Sequence, residues 1–222
     1  MFTLGPKLKK GILIAFEGID GSGITTHSKA ISQKLKELGY NTIYTKEPTN
    51  EVIGNIINNI LNRKFVDNKI MGLLFAADRL WHYYYGDGIS KGLAELLNEG
   101  YIVITDRYKY SSFAYQGLND ETLDWIVELN KFAPDPNIII FLDVPIDISL
   151  KRVSARGNIS VFENKNFLIE VKKRFQNILK IAEKNGIKVI TINEYENDNM
   201  KSIESVDKEI IDNLLLLLKN KN

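Results

Sequence analysis

The sequence predicts an α/β fold: a five-stranded parallel sheet with helices on both faces, in three layers. Three observations predict it. Five short apolar runs suit strands buried on both faces. Helical patterns separate them, as crossovers between parallel strands require. The first apolar run ends in a glycine-rich turn that leads straight into a helical pattern.

The first strand is "ILIAF" (Ile12–Phe16). From Thr25 to Leu38 apolar residues recur at helical spacing, and Gly39 closes that helix. "TIYT" (Thr42–Thr45) is the second strand, with Pro48 marking the turn after it. Residues 51–62 and about 69–98 are helical, the second stretch being broken at "GDG" (Gly86–Gly88). "YIVIT" (Tyr101–Thr105), "IIIFLDV" (Ile138–Val144) and "KVITI" (Lys188–Ile192) complete the strands. Helical patterns follow at about 121–132, 146–155, 165–184 and 201–219. The polar stretch "ARGNISVFEN" (Ala155–Asn164) reads either as a surface turn or as a lid. No repeat or low-complexity linker divides the chain, so residues 1–222 read as one domain.

Lys and Arg number 29, Asp and Glu 28, for a net charge of +1. That balance predicts no general attraction to nucleic acid or membranes, so phosphate recognition must be local. There is no cysteine, which excludes disulfides and thiolate metal sites. His27 and His82 are too few for a His-based metal cluster. "MFTLGPKLKKG" does not read as a signal peptide, and apolar runs such as Leu214–Leu218 are too short to span a bilayer. The expectation is a soluble cytoplasmic protein.

The stretch "FEGIDGSGITTHSKAI" (Phe16–Ile31) nearly matches the phosphate-binding pattern G-x-x-x-x-G-K-[ST]. Gly18, Gly23 and Thr25 are in place, but Ile24 occupies the lysine position. Gly18, Gly21 and Gly23 let the backbone curl so that N–H groups converge, and the next helix adds its positive end. Those main-chain donors, from Gly18 through Ile19, Asp20, Gly21, Ser22, Gly23 and Ile24 to Thr26, do not depend on residue 24. Thr25 suits Mg²⁺, and Thr26 can support a phosphate oxygen. A tight strand–helix turn without a ligand is the alternative, which the flanking strand and helix disfavour. "VITDRY" (Val103–Tyr108) ends a strand with Asp106, an acid that can hold Mg²⁺ through water. Alone, Asp106 would read as a helix cap or a partner of Arg107.

Six segments are spread over nearly the whole chain: "FEGIDGSG", "TKEPT", "LLFAADRLWH", "DRYKYSSFAYQG", "PDPNIIIFLDV" and "KRVSARG". Together they resemble the thymidylate kinase family of P-loop kinases, which phosphorylate dTMP to dTDP with ATP on the way to dTTP. The resemblance implies a P-loop kinase fold with a lid at about 155–164, ATP as donor and Mg²⁺ as cofactor. It implies that Phe75 stacks on thymine and Arg79 donates to thymine O4, with Ser112 and Gln116 at the base edge. Asp20 would meet the deoxyribose 3′-hydroxyl, and Glu47 would lie near the acceptor phosphate. Arg107 would clamp that phosphate, and Tyr108 and Tyr115 would wall the sugar pocket. Read alone, Phe75 is a core phenylalanine in an apolar helix, and either tyrosine could be ordinary core. Arg79 could pair with Asp78 or Glu95, Asp20 could simply form a turn, and Glu47 could be a solvated strand-end carboxylate.

Two departures weaken the donor side. Ile24 cannot follow charge onto the transferred group as lysine does. In the lid, Ser160 and Val161 stand where relatives often carry Asp-Arg. Arg152 and Arg156, one helical turn apart, remain as cations for the donor phosphates, or as a solvated helix end. The expectation is a slow dTMP kinase. A binding protein without turnover, or a kinase of another deoxynucleotide, are the alternatives. The resemblance also implies a homodimer.

Overall fold

The computed structural model describes residues 11–61, 67–155, 165–196 and 199–219. Its middle layer holds β1 (Ile12–Gly18), β2 (Thr42–Lys46), β3 (Ile102–Asp106), β4 (Ile138–Asp143) and β5 (Lys188–Asn193). They lie parallel in the order β2-β3-β1-β4-β5. Side chains alternate between faces along each strand. Ile14 and Phe16 of β1 therefore pack on one side with α1 (Ile24–Glu37) and α9 (Ile203–Lys219). Leu13 and Ala15 face the other side, in the cluster of Leu93, Leu96 and Leu97 from α4 (Leu93–Asn98). Further along that side, Ile139 and Phe141 meet α5 (Lys109–Gln116) and α8 (Lys165–Lys184).

The remaining helices are α2 (Val52–Leu61), α3 (Asn68–Tyr85), α6 (Asp120–Leu129) and α7 (Ile146–Ser154). The chain leaves β1 towards β2 but leaves β3 towards β4, so neighbouring β1 and β3 send their connections opposite ways. Ligand sites of open α/β sheets lie at such a switch point, beyond the carboxyl ends of the strands. Here Phe16 pairs with Asp106 in register at that end.

All five expected strands are present, and the break at "GDG" separates α3 from α4. At that break Gly86 has φ 94°, a left-handed conformation that suits glycine. Two elements were not anticipated. One is the two-stranded antiparallel pair β6 (Tyr195–Glu196) and β7 (Asn199–Met200). The other is α5, whose Lys109, Ser112 and Gln116 are buried along with its aromatic residues. With polar side chains facing inward, α5 carries no polar–apolar period to read. The expected lid lies outside the described residues apart from Ala155. Among the described residues no helix is long and apolar enough to cross a membrane.

Candidate active site

The glycine-rich turn joins β1 to α1 at the switch point. Gly23 sits at the N-cap of α1 with φ 79°, and no side chain caps the helix. The first amides of α1 are thus left to an external acceptor, at the positive end of the helix dipole. The loop tolerates little bulk. A Cβ on Gly18 would lie 2.4 Å from Ser22 Oγ, and one on Gly21 would lie 2.6 Å from the Ser149 carbonyl. Ser149 of α7 also donates its hydroxyl to the Asp20 carbonyl at 2.5 Å. Ser22 Oγ is buried with no hydrogen-bond partner, a donor held at the floor of the loop. The loop encloses a cavity of about 170 Å³, bordered by Ile19–Thr26, Asp106 and Arg107.

At its edge the Thr25 hydroxyl donates to Asp106 Oδ2 at 2.5 Å, and Tyr44 donates to the same oxygen at 3.2 Å. A hydroxyl and a carboxylate in contact form a hard oxygen donor set that fits Mg²⁺. Among the described residues no cluster of three or more His, Cys, Asp or Glu forms a metal cage. Such partial ligation suits Mg²⁺ that shares its coordination with substrate phosphates and water.

Beside the loop opens a cleft of about 160 Å³, lined by Asp20, Glu47, Phe75, Arg79, Arg107, Tyr108, Ser112, Tyr115 and Gln116 among others. Phe75 and Arg79 reach it from α3, one helical turn apart. Phe75 is half-buried. Arg79 is 1% exposed; its donors reach Glu47 Oε2 (2.7 Å), Asn130 Oδ1 (2.5 Å) and Ser112 Oγ (3.2 Å), and its guanidinium lies 5.4 Å from the Tyr108 ring centre. Its partner is therefore Glu47, not Asp78 or Glu95. Asp78 instead accepts from the Thr49 amide and hydroxyl, and burial raises its pKa.

The cleft and the loop cavity share Asp20 and Arg107. Arg107 donates to Asp20 Oδ1 (2.6 Å), the Gly18 carbonyl (2.9 Å) and Ser111 Oγ (3.0 Å). Burial works against its charge, but Asp20, Tyr115, Asp106 and Glu17 outweigh burial and hold its pKa above the ordinary value. The Tyr115 hydroxyl accepts from the Asp20 amide and donates to Asp20 Oδ2, both at 3.0 Å. Burial, with Asp20 beside it, pushes the Tyr115 phenol well above its usual range, so it stays a donor.

Independent comparisons bear on the whole chain. The family model described as thymidylate kinase matches residues 16–203. The chain belongs to the thymidylate kinase family. A relative in Aeropyrum pernix, named as a thymidylate kinase, is 38% identical over 200 residues, covering 89% of this chain and 93% of its own. Another in Methanococcus aeolicus is 41% identical over 205 residues, covering 91% and 95%. Among solved structures, the thymidylate kinase of Ehrlichia chaffeensis superposes with a TM-score of 0.69 at 28% identity, covering 93% of this chain and 100% of that one. That of Candida albicans gives 0.73 at 27% identity, covering 96% and 93%.

Within this thymidylate kinase fold, most residues singled out in the sequence lie together around the two cavities. One cation does not join them. Arg152 borders neither cavity; it donates to the Gly21 carbonyl (3.0 Å) and Glu194 Oε2 (2.8 Å), bracing the loop from α7. Arg156, Ser160 and Val161 lie outside the described residues. Ile24 borders the loop cavity yet is 5% exposed, buried in the cluster of Ile14, Phe16 and Ile31.

Sequence reasoning passed over the buried residues that hold this site in place. His82 contacts Glu47 Oε1 (3.2 Å) and Thr45 Oγ1 (2.8 Å), and Thr45 donates to Asp87 Oδ2 (2.7 Å). Glu17, 0% exposed, accepts from the Tyr108 amide (3.0 Å), the Ser111 amide (3.2 Å) and the Ser111 hydroxyl (2.5 Å). Burial pushes its carboxyl up to about 7, against the opposing pull of Ser111, Arg107 and Arg79. The available signal was that Glu17 is an ionisable residue in an otherwise apolar strand; His82 lies on α3 among other polar residues and gave none.

Proposed function

We propose that this protein transfers the γ-phosphoryl group of ATP to dTMP, giving dTDP and ADP. The observation that carries this reading is that the phosphate loop and the side-chain cleft meet at Asp20 and Arg107. A donor phosphate in one cavity and an acceptor phosphate in the other would come together there. The loop amides and Thr26 would cradle the donor phosphates. Thr25 and Asp106 would hold Mg²⁺, which when bound neutralises phosphate charge.

Phe75 would stack on the thymine ring, and remaining N–H groups of Arg79 would donate to its carbonyl. Ser112 and Gln116 would complete the edge, Tyr108 and Tyr115 the wall, and Asp20 would meet the 3′-hydroxyl. Arg107 would pair with the dTMP phosphate, with Glu47 ordering Arg79 beside it. A phosphate oxygen of dTMP then bonds to the γ-phosphorus as the bond to the departing ADP oxygen breaks. That oxygen is already ionised near neutral pH, so the step needs no protein base. Alignment and charge neutralisation supply the acceleration. With Ile24 in the lysine position, transfer is slow. Arg107 is the cation that lines the donor loop, and Arg152 braces that loop from α7; Arg156, at the expected lid, would add charge on the donor phosphates.

The protein acts in the cytoplasm as a homodimer in this reading. Ile70, Leu73, Trp81 and Tyr84 are exposed on one face of α3, and Val52 and Ile56 are exposed on α2. Exposed apolar residues on these two helices suit burial against a second copy.

The test is ADP release with dTMP, dUMP, dGMP and dCMP as acceptors. Preference for dTMP is expected. Equal turnover of dCMP would sink the base assignment, and nucleotide binding without release would favour a binding protein.

A further inference from the structure

Arg107 stands in an unusual backbone. It is the one non-glycine among the described residues with positive φ, at 67°. The left-handed region is strained for an arginine, so its surroundings must over-determine it. The Arg107 amide donates to the Phe16 carbonyl at 3.0 Å. The next amide, Tyr108, donates to Glu17 Oε1 at 3.0 Å. Consecutive residues of β1 therefore grip the chain at Arg107 and just beyond it. Glu17 continues into α5, where it accepts from the Ser111 amide at 3.2 Å. The carboxylate thus occupies the start of α5, where negative charge is favoured.

The same carboxylate also reaches the guanidinium through one intermediary. Ser111 donates its hydroxyl proton to Glu17 Oε2 at 2.5 Å. That fixes the serine oxygen as the acceptor of the Arg107 Nη1 donor at 3.0 Å. Without Glu17 the hydroxyl could turn and present its proton towards the arginine. Glu17 lies fully buried and borders neither cavity, so it cannot touch a substrate directly.

We propose that Glu17 is a positioning residue for the acceptor-phosphate clamp. Acting through the Tyr108 amide and the Ser111 hydroxyl, it holds the backbone and guanidinium of Arg107 in the orientation that meets the dTMP phosphate. This rests on the reading of Arg107 given above. The hydrogen bonds of Glu17 lead to the phosphate end of the acceptor. At the thymine end, Phe75 and Arg79 of α3 make none with Glu17 among the described residues; Arg79 meets it only through charge, and Ser112 of α5 bonds to Arg79.

The experiment compares dTMP with thymidine, which lacks the phosphate, by calorimetry. The parent should bind dTMP more tightly than thymidine, and Arg107→Ala should abolish that preference. If Arg107→Ala keeps it, the assignment of Arg107 fails, whatever Glu17 does. In Glu17→Gln the preference should fall about tenfold, equivalent to the loss of one hydrogen bond to a charged group. Thymidine and ATP affinities should stay within about twofold, well inside the scale of one lost hydrogen bond. In turnover, KM for dTMP should rise while KM for ATP does not. An unchanged preference in folded Glu17→Gln overturns the proposal. So does an equal weakening of dTMP and thymidine, which a general loosening of the fold would give. Should Glu17→Gln fail to fold, Ser111→Ala decides. It keeps the Glu17–amide bonds, and its preference should fall by about threefold to fivefold, part of one hydrogen bond. No fall in that variant overturns the proposal.

Discussion

The two halves of the site are built from different materials. The cleft is held by a network of charged side chains: buried Glu47, Arg79 and His82 on one side, half-buried Arg107 and Asp20 on the other, with Glu17 buried behind them. The phosphate loop is built from main-chain amides, three glycines and a helix end, and Ile24 adds an apolar side chain where the pattern calls for a cation. Side-chain networks discriminate between ligands because a mismatch leaves buried groups unpaired. Main-chain donors bind any phosphate and discriminate little. The contrast predicts a protein that is selective for its acceptor and slow with its donor.

Breaking the cleft should have the largest effect on stability. Arg79→Ala leaves Glu47 buried without its guanidinium partner, so unfolding free energy should drop by about 3–5 kcal/mol in urea titrations. It should also raise the dTMP Kd sharply while ATP affinity stays close to that of the parent. Loss of both affinities together would mean that the two halves are not separable.

Glu17 gives the next largest signal, and a pH-dependent one. Its folded carboxyl titrates at about 7, above the ordinary 4.5, because burial disfavours the charged form. The groups facing it are Arg107, Arg79 and Ser111. The folded state therefore binds this proton more tightly than the unfolded state. Stability from this group is greatest below about pH 4.5, falls as pH rises to about 7, and is level above that. The fall amounts to about 3 kcal/mol. Unfolding measured from pH 4 to 8 should show Glu17→Gln gaining on the parent by that amount across the window. Parallel curves would show that Glu17 titrates normally.

Arg152→Ala should do least. The arginine is partly exposed, but its partner Glu194 is buried, so losing that charged hydrogen bond should cost about 1.5–3 kcal/mol of stability. If it also serves the donor phosphates, kcat should fall more than dTMP affinity. Turnover equal to the parent would reduce it to a brace.

The same contrast governs what could be read in advance. The five strands were legible because each is a short, continuously apolar run buried on both faces. The phosphate loop was legible because its glycines sit at fixed spacing between a strand and a helix. The cleft was legible only by resemblance. Its partners are far apart in sequence: Arg79 and Asn130 differ by 51 positions, and Glu17 and Ser111 by 94. No local pattern records such pairs. α5 escaped detection for the same reason, since its polar residues turn inward towards the network.

The central claim is that a complete acceptor cleft faces a donor loop short of one cation. Single-turnover transfer from ATP to dTMP, in the parent and in Ile24→Lys, tests it most directly. The lysine must leave the apolar cluster around Ile14 and Phe16 and extend along the phosphates, at a stability cost of about 1.5–3 kcal/mol for the lost burial. The account predicts slow but measurable transfer in the parent and a rise of about a hundred- to thousand-fold in the variant, the scale of one restored electrostatic donor. A parent already turning over at about 1–100 per second, and unmoved by the lysine, would contradict it.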